Sequence, residues 1–349
     1  MRVLLAYLLL SSCAVIDIYE GISVRRMNRR LTACGMAAAC IGTFGVTANA
    51  QTYPSKPVRV IVPFTPGGIS DVLARVMAQH LSTAMGQQFF VENRPGAGTT
   101  IAADVVAKSA PDGYTLYFID MTTHAINATL YSKLPYDSVK DFSQIAMVAQ
   151  TPLIMVVHPS LPVRTVKELI AFAKTRPDEI AYASSGNGTI LHLSGETLKS
   201  MAGIKMVHVP YKGSAPAVAA LLGGEVAMTF STTPPALPHV KAGRLRALAV
   251  TSPKRAPLLP DVPAVGETLI GFDIVLYNGI MGAAGIPRDV TNRLNKELAR
   301  MITLPSIKEA WANQGADPIV MTPDQETEHL KSDISKLGKM VRAADAKVD

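Results

Sequence analysis

Cysteine is almost missing from this sequence. Its 349 residues hold three, Cys13, Cys34 and Cys40, all within the first fifty positions. If that segment is removed on export, the remaining chain has no thiol, and disulfides, cysteine nucleophiles and thiolate metal sites are excluded together. Runs of one charge are missing too. Beyond residue 50 the basic side chains stand singly or in pairs, so nothing resembles a nucleic-acid footprint, and no nucleic-acid partner is expected. No H-E-x-x-H or cysteine pair suggests a metal, and neither the dinucleotide glycine spacing nor a P-loop lysine is present, so no cofactor is expected. The apolar runs 3–16 and 31–46 are too short or too interrupted for a clear membrane span.

The second of those runs follows Met27, Arg29 and Arg30 and ends in Ala48-Asn49-Ala50. A basic start, an apolar stretch and an A-x-A end read as an export leader, 1–50, or 27–50 if Met27 is the true start, cleaved after Ala50. A lipoprotein signal at Cys13 and an uncleaved N-terminal anchor are the weaker alternatives. The leader carries a net charge of +3, and taking it from the whole chain's +7 leaves a mild +4. What remains, from Gln51, is expected to be exported and is long enough to bury a sizeable core without covalent staples.

The stretch 58–86 organises the rest. Val58, Val60 and Val62 alternate in a short β-branched run, Pro63, Pro66, Gly67 and Gly68 break it, and apolar residues at helical spacing follow until Gly86. Strand, glycine turn and helix in that order leave the N–H groups of Gly67, Gly68, Ile69 and Ser70 at an open helix start, where an anion binds without any basic side chain. Comparable junctions recur at Arg94-Pro95-Gly96-Ala97-Gly98, at Ser184-Ser185-Gly186-Asn187-Gly188-Thr189 and at Pro210-Tyr211-Lys212-Gly213-Ser214. Strands are expected near 88–91, 114–119, 180–183, 205–209, 226–230 and 245–250, and helices near 165–174, 190–202, 217–222, 289–302, 306–314 and 323–341. Two apolar stretches, 151–158 and 272–281, are the candidates for strands crossing between lobes. Alternation of this kind argues an α/β protein with mainly parallel sheets. The expected division is 51–150 with 277–349 as lobe 1 and 151–276 as lobe 2, so that the four glycine loops face one another across a cleft.

The ordered set Val62-Pro63-Phe64-Thr65-Pro66-Gly67-Gly68 with Asp71, Glu92-Asn93-Arg94-Pro95-Gly96-Ala97-Gly98, Pro111-Asp112-Gly113-Tyr114, Ser184-Ser185-Gly186-Asn187-Gly188-Thr189 with His192, Val209-Pro210-Tyr211-Lys212-Gly213 and Ala220-Leu221-Leu222-Gly223-Gly224 resembles the Bug family of periplasmic solute-binding receptors of the tripartite tricarboxylate transporter type. The resemblance spans essentially all of 53–341. It implies a bilobal type II periplasmic binding (Venus-flytrap) fold with two α/β lobes joined by two crossover strands. It also implies a monomeric receptor for a small carboxylate, an organic acid, a dicarboxylate or an acidic amino acid, serving membrane permease subunits of such a transporter or a membrane sensor. The positions that match are Phe64, Thr65, Gly67, Gly68, Ile69, Ser70 and Asp71 on one lobe and Ser184, Gly188, Thr189, Tyr211 and Gly213 on the other. Asp71 reads either as a helix N-terminal residue or as the partner of a ligand ammonium.

Two other classes of function were weighed against this one. A periplasmic serine hydrolase would use Ser184 with His192, yet Ser-Ser-Gly-Asn-Gly is not the G-x-S-x-G elbow, and His192 on a helix reads better as structural. His124, near a strand end, reads as a pocket-rim or structural histidine, and Lys212 as solvated. A scaffolding module would have a filled cleft and no small-molecule ligand.

Overall fold

The computed structural model describes residues 53–346, and the expected leader with its three cysteines and its cut after Ala50 lies outside them. The described chain opens with β1 (Val58–Val62), whose residues are almost wholly buried, then α1 (Ile69–Met85), β2 (Phe89–Asn93), a short 3-10 turn (Ala97–Thr99) and α2 (Thr100–Ala107). Next come β3 (Thr115–Asp120), α3 (Met121–Leu130) and the long β4 (Phe142–Pro152). A single residue, Leu153, separates β4 from β5 (Ile154–Val157), and there the chain leaves one sheet and joins another. The second sheet is built from β5, α4 (Val166–Thr175), β6 (Ala181–Ser184), α5 (Ile190–Ala202), β7 (Val207–Pro210), α6 (Ser214–Leu222), β8 (Met228–Ser231), α7 (Thr233–Lys241) and β9 (Arg246–Val250). The chain returns with β10 (Val275–Ala283), followed by α8 (Arg288–Met301), α9 (Pro305–Ala312), β11 (Asp317–Pro318) and α10 (Pro323–Ala343).

The first sheet has the order β11-β4-β10-β3-β1-β2 and the second β7-β6-β8-β5-β9. Two α/β lobes linked by two crossings is the expected bilobal fold. The expectation of mainly parallel sheets needs correction. β1 is parallel to β2 and β3, and β6 to β7 and β8, but β10 is antiparallel to both β3 and β4, and β5 is antiparallel to β8 and β9. The reversed strands are the ones next to the crossings, where the chain enters a sheet from the other lobe instead of returning over it through a helix. At the crossings the two chain passages are tied together: Leu153 N–H donates to the Thr251 hydroxyl, Thr251 N–H to the Leu153 carbonyl and Ile274 N–H to the Thr251 carbonyl.

Two helices were not expected. α3 follows β3 directly, started by Asp120, whose carboxylate accepts the Thr123 N–H; its sequence, Met-Thr-Thr-His-Ala-Ile-Asn, has no polar face because the whole first part is buried. α7 holds Pro234, Pro235 and Pro238, which hide its helical character, although proline is acceptable in a first turn where the N–H groups have no intrahelical acceptor. The helix α1 that carries the central turn is anchored by Leu73, Ala74, Met77 and Leu81, each fully buried against the first sheet. Leu73→Ala is expected to cost about 2–5 kcal/mol, read as a lower midpoint in urea unfolding with the cleft chemistry unchanged.

Candidate functional site

The turn between β1 and α1 is held by one buried side chain. Asp71 accepts the Gly67 N–H at 3.1 Å on Oδ2, two bonds from the Arg75 guanidinium at 3.1 and 2.9 Å, and the Asn93 amide at 2.9 Å on Oδ1. Asn93 Nδ2 also donates to the Phe64 carbonyl, so β2, the turn and α1 are clamped at one point. Burial acts to raise the Asp71 pKa, but the hydrogen bonds from Arg75, Asn93 and Gly67 outweigh it and hold the carboxyl below the ordinary carboxylate value. The Gly67 N–H is therefore committed to Asp71. Gly67 itself has φ +92, which a larger residue adopts only under strain. The groups left facing outward are those of Gly68, Ile69 and Ser70.

These three residues line a narrow pocket together with Phe64, Asp120, Leu276 and, from the second lobe, Ser185, Leu191, Ser214 and Thr232. Five helices begin at this pocket. Gly68 caps α1, Asp120 caps α3, Leu191 is in the first turn of α5, Ser214 opens α6 and Thr232 caps α7. α1, α6 and α7 have no side-chain cap, so their first N–H groups are without that kind of acceptor. Each helix start carries a partial positive charge of roughly half a unit, and the lining holds no lysine, arginine or histidine. The buried hydroxyls of Ser185 and Thr232 have no hydrogen-bond partner. The chemistry of the pocket is that of an anion site made of dipoles and hydroxyls.

The jaws touch around it. Thr65 N–H donates to the Lys212 carbonyl at 3.3 Å, and Ile190 N–H at the start of α5 donates to the Thr123 hydroxyl at 3.1 Å. A Cβ added to Gly67 would meet the Ala215 Cβ at 3.5 Å, and one added to Gly188 would lie 2.9 Å from Asn127 Oδ1. An outer chamber of about 360 Å³ adjoins the pocket, sharing Phe64 and Ser185 and lined also by Gly96, Tyr131, Tyr211 and Lys212.

The residues singled out from the sequence fall into three groups. Phe64, Gly68, Ile69 and Ser70 line the pocket, and Tyr211 lines the outer chamber with its hydroxyl on Glu225. Thr65, Gly188 and Gly213 are at the contact between the lobes, where Gly213 leaves room for the Thr65 side chain. Gly67 and Asp71 form the clamp, while Thr189 caps α5 and Ser184 is turned inward, its hydroxyl 2.6 Å from His208 Nε2 and taking the Gly186 N–H. The serine at the pocket is thus Ser185, its neighbour. Asp120, Ser185, Leu191, Ser214, Thr232 and Leu276 were not among the expected contact residues; the signal that finds half of them is position, since Asp120, Ser185 and Thr232 each sit at the carboxyl end of a strand or just beyond it.

His192 does not pair with Ser184. It stacks on His208 with ring centroids 4.1 Å apart and takes the Gly188 N–H on Nδ1, and burial lowers the pKa of both histidines, that of His208 to about 3. Ser184 is fully buried, and the histidine it meets is His208, not His192. His124 is packed between Tyr136 and Phe142 with Nε2 2.9 Å from the Ser138 carbonyl, a structural histidine lowered by burial to about 4. Arg94 pairs with Glu92 rather than with Asp104, which pairs with Lys108. Among the described residues no group of histidine, cysteine and carboxylates could hold a metal, and no helix is long and apolar enough to cross a membrane.

Comparison with known proteins gives a consistent set of relatives. Residues 73–345 match the model of the tripartite tricarboxylate transporter family receptor. Protein BugT of Bordetella pertussis is 37% identical over 326 residues, covering 92% of this chain and 99% of BugT. Among solved structures, Rpa4515 of R. palustris with adipate superposes with a TM-score of 0.82 at 36% identity, covering 85% of this chain and all of that one. MatC of Rhodopseudomonas palustris with bound malate superposes with a TM-score of 0.78 at 28% identity, covering 83% of this chain and all of MatC.

The Asp71 clamp makes a prediction with a sign. Because its folded pKa is depressed, its contribution to stability is present above the unfolded-state value of about 3.9 and is lost as pH falls through the folded value. Asp71→Asn should lower the unfolding free energy at pH 7 by about 1–3 kcal/mol, and the gap from wild type should shrink as the pH is taken below 4 in denaturant titrations.

Proposed function

The chain belongs to the tripartite tricarboxylate transporter receptor family, and from that premise we propose that it is a periplasmic receptor for a small aliphatic dicarboxylate, captured by closure of the two lobes and handed to the membrane permease subunits of such a transporter. The observation that carries the reading is the convergence of helix N-termini on a pocket whose lining holds no lysine, arginine or histidine. One ligand carboxylate takes the N–H groups of Ile69 and Ser70 on the first jaw. The hydroxyls of Ser185 and Thr232, buried and without partners, supply donors for the second carboxylate from the other jaw. Adipate with Rpa4515 and malate with MatC support a dicarboxylate as the ligand class.

Closure is the natural mechanism for such a site. The Thr65 to Lys212 and Ile190 to Thr123 hydrogen bonds exist only when the jaws meet, and a ligand bridging α1 to α6 and α7 stabilises the same state, so binding shifts the population toward the closed shape that a permease reads. The lobes that move carry the first sheet, 53–152 with 275–346, and the second, 153–274, and they move about the tie between Leu153 and Thr251. These boundaries lie two residues off the expected ones because β4 runs to Pro152 and β10 starts at Val275. Asp71 has its acceptors filled by Gly67, Arg75 and Asn93 and serves the turn rather than a ligand ammonium. Tyr211 and Lys212 border the entrance.

A thermal-shift screen of mono-, di- and tricarboxylates, acidic amino acids and aromatic acids, on protein beginning at Gln51, tests the proposal. A dicarboxylate at 100 times its Kd should add about 2.7 kcal/mol of stability, a shift of several degrees. Gly68 has φ −82 and an added Cβ there meets nothing within 4 Å, so Gly68→Leu should fold normally, narrow the pocket and abolish the shift. A screen with no response to any acid, or hydrolysis of a matched ester lost on Ser184→Ala, would overturn it.

A further inference from the structure

The pocket contains one ionisable side chain, and it has the sign of the expected ligand. Asp120 ends β3, caps α3 and lines the pocket with 1% of its surface exposed. Its oxygens accept the Thr123 N–H at 2.9 Å, the Thr123 hydroxyl at 2.6 Å and the Thr122 N–H. The Thr123 hydroxyl itself accepts the Ile190 N–H, so its own proton is committed to Asp120. An ionised carboxylate has about four acceptor positions. Three are filled from α3, which leaves one on a side chain that lines the pocket.

We propose that Asp120 binds the ligand through a shared proton, so that a dicarboxylate is held with one hydrogen between its carboxylate and the Asp120 carboxyl and the receptor takes up that proton from solvent on binding. The inference rests on the dicarboxylate reading above and adds a residue and a protonation state to it. Two carboxylates brought together in a buried site cannot both remain ionised without a cation, and the lining offers none. Burial already raises Asp120 to about 6, against the hydrogen bonds from Thr123 and Thr122 that pull it down. A ligand anion beside it raises it further.

Lys212 lines the adjoining outer chamber rather than the pocket, and α10, packed on α3, brings Glu326, fully buried and raised well above its ordinary value. Among the described residues the other neighbouring elements supply no counter-charge. On β3 itself Tyr117 is buried and raised well above its ordinary value. α3 contributes His124, lowered to about 4 and bonded to the Ser138 carbonyl. α1 brings Asp71 locked to Arg75 and His80 paired with Glu297, α2 brings Asp104 paired with Lys108, β1 brings Arg59 paired with Glu92, and β10 brings Tyr277. From the second lobe α5 brings His192, lowered by burial, with Glu196 and Lys199 paired further along the helix. α6 and α7 place Ser214 and Thr232 at the pocket.

Titration calorimetry with adipate and malate between pH 5.5 and 8, in buffers of different ionisation enthalpy, tests this. The expected result is an affinity that falls up to tenfold per pH unit above about pH 6, because one proton is bound per ligand, with proton uptake approaching one at pH 7.5. Asp120→Asn keeps the cap and can donate to the ligand without a proton from solvent, so it should bind with a flat pH profile and no uptake. The wild-type proton count needs no variant and stands if Asp120→Asn fails to fold. Binding without proton uptake in wild type overturns the shared proton while leaving the dicarboxylate receptor intact. An acidic amino acid that binds independently of pH, where plain dicarboxylates fail, overturns it in favour of an ammonium on Asp120. No binding of any aliphatic dicarboxylate at any pH overturns both readings.

Discussion

A carboxylate sealed beneath a turn is the interaction on which the rest of this receptor depends. Asp71 gathers the Gly67 N–H, the Arg75 guanidinium and the Asn93 amide, and in doing so it fixes where α1 begins and which way its first turn points. Gly67 is held at a positive φ by the same bond. Without it, the N–H groups of Ile69 and Ser70 would be on a mobile loop, and ordering them at the moment of binding would cost conformational entropy. With it, the donors are in place before any ligand arrives.

The same logic is repeated across the cleft with different residues. Helix starts at Ser214 and after Thr232 lack side-chain caps, and the hydroxyls of Ser185 and Thr232 are buried without partners. Desolvated donors of this kind are unfavourable alone, and they are tolerated where an acceptor completes them. Dipoles from both lobes therefore reward the closed state when an anion bridges them, and the inter-lobe bonds Thr65 to Lys212 and Ile190 to Thr123 record that state in the backbone. Fold and binding are joined in this way: the crossings at Leu153 and at 251–274 permit the jaws to move, and the pocket supplies the reason for them to close.

Much of this was legible in the sequence because it is written in glycine and in alternation. The β-branched run 58–62, the break at Pro66 to Gly68 and the helical phase from Asp71 place α1 within two residues of its observed start. What was illegible has physical causes. The direction of β10 and β5 depends on which lobe the chain arrives from, which local periodicity does not encode. α3 is buried along its first two turns and so shows no amphipathic stripe, and α7 conceals itself behind three prolines. At the site, Ser184 and Ser185 are indistinguishable by type, and only the alternation of side chains at the end of β6 decides that Ser184 meets His208 while Ser185 meets the pocket. Asp71 stands out because it follows the glycines, whereas the acid that lines the pocket, Asp120, shows in the sequence only as a polar residue ending a strand.

The central claim is that an anion is held by main-chain donors at the start of α1. Amide-resolved NMR during titration with adipate measures those donors directly. The account predicts that the Ile69 and Ser70 amide protons move strongly downfield as the complex forms, as expected for new hydrogen bonds to a carboxylate. Amides of Ile69 and Ser70 that stay in place while those around Tyr211 and Lys212 respond would contradict it.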